Sequence, residues 1–159
     1  MMVQTDQMKV VLLEDEDLLR GLLGDWLSSQ PDIELLDSFR SLKAFNSSLE
    51  STVKDADVII ADLFLTDGES LDPVLREISA NPKKQGLVVI SGRPTADLFD
   101  RMSNGMSGGW AFLLKNSNGL SNLRQALQAV QSGLVMVDPE LKNMFSTPGL
   151  NTSLTAQER

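Results

Sequence analysis

Cysteine and histidine are both absent from this 159-residue chain. Without cysteine there is no disulfide framework, no thiolate zinc site and no cysteine nucleophile. Without histidine, Ser-His triads, histidine general bases and histidine metal ligands fall away together. Chemistry here must run on carboxylates, hydroxyls, lysine and a hard, oxygen-loving ion. Long hydrophobic runs are missing as well: none approaches the ~20 residues of a membrane span. The N-terminal MMVQTDQ has no apolar signal-peptide core, so a cytoplasmic protein with no membrane partner is expected. Positive charge is scarce, with 14 Lys and Arg against 22 Asp and Glu and a net charge of -8, so this stretch is not expected to bind nucleic acid itself. What is plentiful is apolar content, 42% of residues, enough for one globular domain with a proper core.

After a polar tail over residues 1–8, short apolar runs alternate with segments of helical period. Lys9 to Leu13 reads as a first strand, followed by a helix with Leu18, Leu19, Leu22, Leu23, Trp26 and Leu27 on one face. Ile33 to Leu36 is a weaker second strand, before a helix carrying Leu42, Phe45 and Leu49. Val58 to Ala61, GLVVIS and AFLLK supply three more strands, each leading into an amphipathic helix. The last of those helices carries Leu120, Leu123, Leu127 and Val130. Wholly apolar runs alternating with helices indicate a parallel sheet covered on both faces, so the predicted fold is α/β, doubly wound, with five strands over residues 9–133. Past Gly133 the pattern changes. VDPELKNMF predicts a short helix opening at Pro139, and STPGLNTS reads as a linker, together residues 134–153. LTAQER, residues 154–159, has Thr155 and Glu158 in capping-box spacing and reads as the cut-off start of a further domain.

In open α/β sheets ligands sit beyond the carboxyl ends of the strands, where strand order reverses. Strand one ends in Glu14 and Asp15, strand three in Asp62, strand four in Ser91 and strand five in Lys115. With strand order 2-1-3-4-5, Glu14, Asp15 and Asp62 converge on one crevice, with Ser91 beside it and Lys115 in reach. Three convergent carboxylates suit magnesium, which takes one or two carboxylates, waters and a phosphate oxygen. A divalent ion also explains why VVLLEDED tolerates four consecutive acids. Asp62 is the candidate nucleophile, since a carboxylate can form an acyl-phosphate. Lys115 would neutralise phosphoryl oxygens and Ser91 would hydrogen-bond one of them, without need of a histidine base.

Plainer readings stand beside these. Glu14 to Asp17 can be favourable charge at a helix N-terminus, which is the reading adopted for Glu16 and Asp17. Asp62 alone can be a turn residue, Lys115 a solvated strand end, and Ser91-Gly92 a turn. Trp110, Phe112 and the leucine stripes read as core. Gly105, Gly108 and Gly109 mark helix termination and a tight turn, and no following Gly-Lys-Ser/Thr makes them a P-loop.

These five strand-end positions resemble the site of response-regulator receiver domains over roughly Lys9 to Gly133. In that family an acidic pair ends strand one, the phosphorylated aspartate strand three, a Ser/Thr strand four and a lysine strand five. LLEDEDLLRGLL, ADLFLTDGES and GGWAFLLKN resemble the NarL/FixJ branch, and DPEL followed by LTAQER resembles the lead-in to a LuxR-type helix-turn-helix. The resemblance implies a flavodoxin-like fold and phosphoryl transfer from a sensor histidine kinase onto Asp62. It implies Mg2+ held by Glu14, Asp15, Asp62 and the backbone carbonyl of Phe64, and a switch pair of Ser91 and Phe112. It also implies dimerisation on phosphorylation, DNA binding only through a missing C-terminal domain, and a phosphoprotein that regulates transcription rather than an enzyme. Four positions depart from the family pattern, with Glu14 for the common Asp, Thr66 for Pro, Gly92 for Ala, and Asn116 for Pro or Asp. They bear on rates and loop rigidity, since no catalytic group is lost. One rival is a haloacid-dehalogenase-type phosphatase, whose DxD start Asp15-Glu16-Asp17 mimics, although Leu19 stands where its Thr/Val belongs. Another is a phosphorylation-independent pseudo-receiver, against which the intact acids and lysine weigh.

Overall fold

The computed structural model describes residues 6–62 and 71–141. Phe64, Thr66, the linker from residue 142 onward and LTAQER, all singled out above, lie outside the described residues. The strands are β1 (Met8–Leu13), β2 (Ile33–Phe39), β3 (Val58–Asp62), β4 (Gly86–Ser91), β5 (Trp110–Leu114) and β6 (Val135–Val137). The helices are α1 (Asp17–Ser29), α2 (Leu42–Ser47), α3 (Leu71–Ala80), α4 (Ala96–Gly105), α5 (Ser117–Ser121) and α6 (Leu123–Gln131). All strands are parallel, in the order β2-β1-β3-β4-β5-β6. The expected doubly wound architecture and its central β2-β1-β3-β4-β5 order are therefore present.

The strand count is corrected from five to six. Val135–Val137 pairs in parallel with Trp110, Ala111 and Phe112. Three residues are too short to show a period in sequence, and the DPEL helix signal follows them directly. Gly133, with φ of 82°, takes the left-handed turn that swings the chain from α6 back to the sheet. The sheet therefore runs on past residue 133.

β3, β4 and β5 are buried along their whole length, because helices cover both faces of a parallel sheet. Alternation sorts the strand residues between two cores. Val11, Leu13, Ile59, Val89 and Phe112 face α2, α3 and α4, joined by Phe45, Val74 and Met102. Val10, Leu12, Ile60, Val88 and Leu113 face α1 and α6, joined by Leu27, Leu123 and Leu127. The α1 stripe is narrower than expected. Leu23 and Leu27 are buried, but Leu18 and Leu22 are 71% and 58% exposed. No helix among the described residues is long and apolar enough to cross a membrane.

The chain beyond β6 is fastened to β5. The Asp138 N–H donates to the Phe112 carbonyl at 2.9 Å. The Asp138 carboxylate, buried at 2% exposure, accepts from Glu140 N–H at 3.0 Å and Leu114 N–H at 3.3 Å. Residues 139–141 are helical, with Pro139 at the first position and Asp138 as the cap, and Leu141 is fully buried. Asp138→Ala removes the cap and strands a buried N–H, a loss of about 1–2 kcal/mol. A fall of about 4 °C in Tm is expected by calorimetry at this chain length. An unmoved transition would show that the fastening contributes nothing.

Candidate functional site

The carboxyl end of each central strand carries one polar group. β1 runs out at Leu13, and the Glu14 N–H still bonds to the Phe39 carbonyl at 2.9 Å, so Glu14 is held in line with the strand. Its side chain turns inward and is fully buried. Asp62 is the last residue of β3, in register with Ile90, and is 2% exposed. Ser91 closes β4 at 1% exposure. Lys115 follows β5 directly, its N–H bonded to the Ser91 carbonyl at 2.9 Å. The turn after Lys115 is set by Asn116, whose side chain accepts from Gly119 N–H at 2.7 Å and caps α5. A Cβ on Gly119 would lie 1.9 Å from the Leu114 carbonyl oxygen, so only glycine lets α5 seat against the strand end that presents Lys115.

The structure brings Glu14, Asp15, Asp62 and Lys115 together. One carboxylate oxygen from each of Glu14, Asp15 and Asp62 lies within 4.8 Å of the others. Lys115 Nζ is 2.5 Å from Asp62 Oδ2 and 3.6 Å from Glu14 Oε2. The serine is oriented too: Ser91 Oγ accepts from Arg93 N–H at 3.1 Å, which leaves its own O–H to donate elsewhere. Phe112 is fully buried in the core that faces α4, two positions from the end of β5.

One residue assigned above to simple helix-end charge belongs to this group. Glu16 Oε2 stands 3.5 Å from Lys115 Nζ, while its N–H donates to Glu14 Oε2 at 2.9 Å. Nothing in a run of four acids marks which one will turn inward. Asp17 follows its sequence reading and stays outside, where Arg20 hydrogen-bonds it at 2.7 Å and holds its carboxyl below the usual range, with Arg40 adding to the effect. Arg20 also donates to the Glu14 carbonyl at 3.0 Å and braces the β1–α1 turn, a role with no sequence signature.

Packing three carboxylates around one ammonium leaves excess negative charge in a buried place. The Glu14 carboxyl answers by holding its proton, pushed up to about 8, chiefly by burial and next by hydrogen bonding with Asp62. Its Oε1 has no hydrogen-bond partner among the described residues. Burial is also the largest influence on Lys115 and pulls it down. Asp62, Glu14 and Glu16 together outweigh it and hold the ammonium above its ordinary value. An orphaned buried carboxylate oxygen within a three-acid cluster is what a hard divalent cation would satisfy, so the donor set fits Mg2+.

No family model matches the chain. A protein-glutamate methylesterase/protein-glutamine glutaminase of Nitrobacter winogradskyi is 30% identical over 89 residues, which are 54% of this chain and 19% of that relative. The chain thus spans about a fifth of that protein's length. The isolated receiver domain of RcsB from Salmonella enterica serovar Typhimurium, solved with the phosphomimetic BeF3-, superposes with a TM-score of 0.69 at 17% identity, covering 87% of this chain and 98% of that one. A structure of RcsB dimers bound to DNA gives 0.73 at 17% identity, covering 89% and 68%. The chain has the fold of these response-regulator receiver domains.

Proposed function

We propose that this chain is the phosphoacceptor receiver domain of a two-component response regulator. The observation that carries the reading is the convergence of Asp62, Glu14, Asp15 and Lys115 at the carboxyl ends of β1, β3 and β5. On this fold, that is the crevice where ligands bind.

The reaction is the transfer of a phosphoryl group from the phosphohistidine of a sensor histidine kinase. A carboxylate oxygen of Asp62 attacks phosphorus in line as the P–N bond breaks, and the electron pair leaves with the imidazole nitrogen. Glu14, Asp15, Asp62 and the Phe64 carbonyl would hold Mg2+, which supplies charge neutralisation for the phosphoryl oxygens. Lys115 starts on Asp62 and is placed to exchange that partner for a phosphoryl oxygen, forming a charge-assisted hydrogen bond. Ser91 donates its O–H to a second oxygen. The phosphorylated aspartate carries more charge and more acceptors than the carboxylate it replaces. Drawing Ser91 toward it makes room beside β4 for Phe112, whose strand is bonded to Asp138 and the exit segment.

Dimerisation follows from that shift, and two copies would present LuxR-type helix-turn-helix domains beyond residue 153 to paired DNA half-sites. RcsB dimers on DNA are the nearest analogy among the structural neighbours reported above. The receiver itself binds no DNA and acts in the cytoplasm as a regulated element rather than a turnover enzyme. Incubation with acetyl phosphate and Mg2+ should add the mass of one phosphoryl group, and Asp62→Asn or omission of Mg2+ should abolish the gain. Absence of any added mass would favour the pseudo-receiver, and steady release of phosphate from generic esters the phosphatase.

A further inference from the structure

The group nearest solvent in the Lys115 cage is Glu16, and its placement is unusual for its position in the helix. It is the N-cap residue of α1, with extended backbone angles of -81° and 117°, yet its side chain makes no capping hydrogen bond. The carboxylate reaches across to Lys115 instead. Exposure is graded through the cage, with side chains of Asp62 at 1%, Glu14 at 0%, Lys115 at 14% and Glu16 at 55%. Among the described residues, Lys115 is the one cation in ion-pair distance of Glu14 and Asp62. An incoming phosphoryl group therefore has to take Lys115 from carboxylates that already hold it, and Glu16 is the competitor on the solvent side. Its charge also stands at the mouth that a donor must cross.

We infer that Glu16 is a donor-specificity residue, a positioning group that acts through Lys115 to disfavour small anionic phosphodonors relative to a protein donor. This rests on the proposed receiver function and names the donor class it admits. A free acyl phosphate arrives with its negative charge uncovered and meets Glu16, Asp15 and the held lysine. A protein donor that presents a cationic group here would pair with Glu16, so the same charge that repels one donor would favour the other. The chemical step is unchanged: with acetyl phosphate the Asp62 oxygen forms a bond to phosphorus, the P–O bond to the acetyl group breaks, and acetate leaves with the electron pair. Repulsion between exposed charges is screened by salt, so the discrimination is largest at low ionic strength.

The test is the second-order rate of phosphoryl uptake from acetyl phosphate, followed by intact mass at saturating Mg2+ and two ionic strengths. Glu16→Gln should react about 3–10-fold faster than wild type at low salt, with the two rates converging at high salt. Glu16→Asp keeps the charge and should stay close to wild type. Because the Glu16 side chain caps nothing, the glutamine variant should melt with wild type, which separates a charge effect from a packing effect. Equal rates for Glu16→Gln and wild type, a gain independent of salt, or the same gain in Glu16→Asp would overturn the inference while leaving the receiver function standing. A wild type that takes no phosphoryl group at all would overturn both.

Discussion

If Glu14, Asp15 and Asp62 hold Mg2+ as proposed, the metal should bind about fiftyfold more tightly at pH 8 than at pH 6, because it needs a carboxylate where the resting site keeps a carboxylic acid. Glu14 holds its proton to about pH 8. At pH 6 about one molecule in a hundred has that group ionised, and at pH 8 about half do. Metal binding must displace the proton, so affinity climbs with the ionised fraction and levels off above pH 8. The same shift sets the stability of the metal-free protein. The folded value lies above the ordinary 4.5, so the folded state binds more protons than the unfolded chain between the two. Stability is therefore greatest below about pH 4.5 as far as this group is concerned, declines as pH rises toward 8, and is level beyond. Calorimetric titration with MgCl2 at both pH values checks the affinity, and Glu14→Gln should bind weakly with no such pH dependence. A wild-type affinity that does not change from pH 6 to 8 would mean that Glu14 is not a ligand.

Lys115→Ala should melt about 10 °C below wild type in metal-free buffer. The ammonium lies against Asp62 at 2.5 Å and is only 14% exposed, and two of the three acids it faces, Asp62 and Glu14, are buried. Removing one partner of a buried ion pair costs about 3–5 kcal/mol, since the remaining charge is left uncompensated. For a domain of this size each kcal/mol moves Tm by about 2–4 °C. The deficit belongs to the pair rather than to the packing of the lysine stem, and a double-mutant cycle separates the two. Asp62→Asn alone should melt above wild type without metal, because one of the crowded acids is gone. Combined with Lys115→Ala it should recover most of the loss. If the double variant melts no higher than Lys115→Ala alone, the deficit came from lost packing and the charge balance described here is wrong. Millimolar Mg2+ should stabilise wild type far more than Asp62→Asn, which lacks a ligand, by the binding it gains in the folded state alone.

Much of this site is visible in the sequence because strands buried on both faces have no polar residues until they end. VVLL, VIIA, LVVI and AFLL stop at Glu14, Asp62, Ser91 and Lys115, so the first polar residue after each run marks the crevice. The sheet order then decides which of these meet. What sequence conceals is direction within a uniform run. Glu14 to Asp17 are four acids in a row, yet Glu14 is buried, Asp15 and Asp17 are exposed, and Glu16 bends to a lysine 99 positions away. The leucines of α1 behave similarly: a heptad-like stripe looked wholly inward, but a helix laid on one edge of a sheet buries only a narrow arc, and Leu18 and Leu22 fall outside it. The last helix read as one element, whereas Asn122 interrupts it between α5 and α6. VDPELKNMF reads only as a short helix opening at Pro139, and nothing in it marks Asp138 as the residue that ties the exit segment to the strand of Phe112.

The most direct measurement is the identity of the phosphorylated atom. After reaction with acetyl phosphate and Mg2+, the intact mass should rise by one phosphoryl group, the gain should vanish on treatment with hydroxylamine, and peptide mapping should place the adduct on Asp62. Acyl-phosphates are cleaved by that nucleophile and phosphate esters of hydroxyls are not, so the chemistry identifies the acceptor as a carboxylate. A hydroxylamine-stable adduct on Ser91, or an unchanged mass in a folded, magnesium-bound protein, would contradict the assignment of Asp62 as phosphoacceptor.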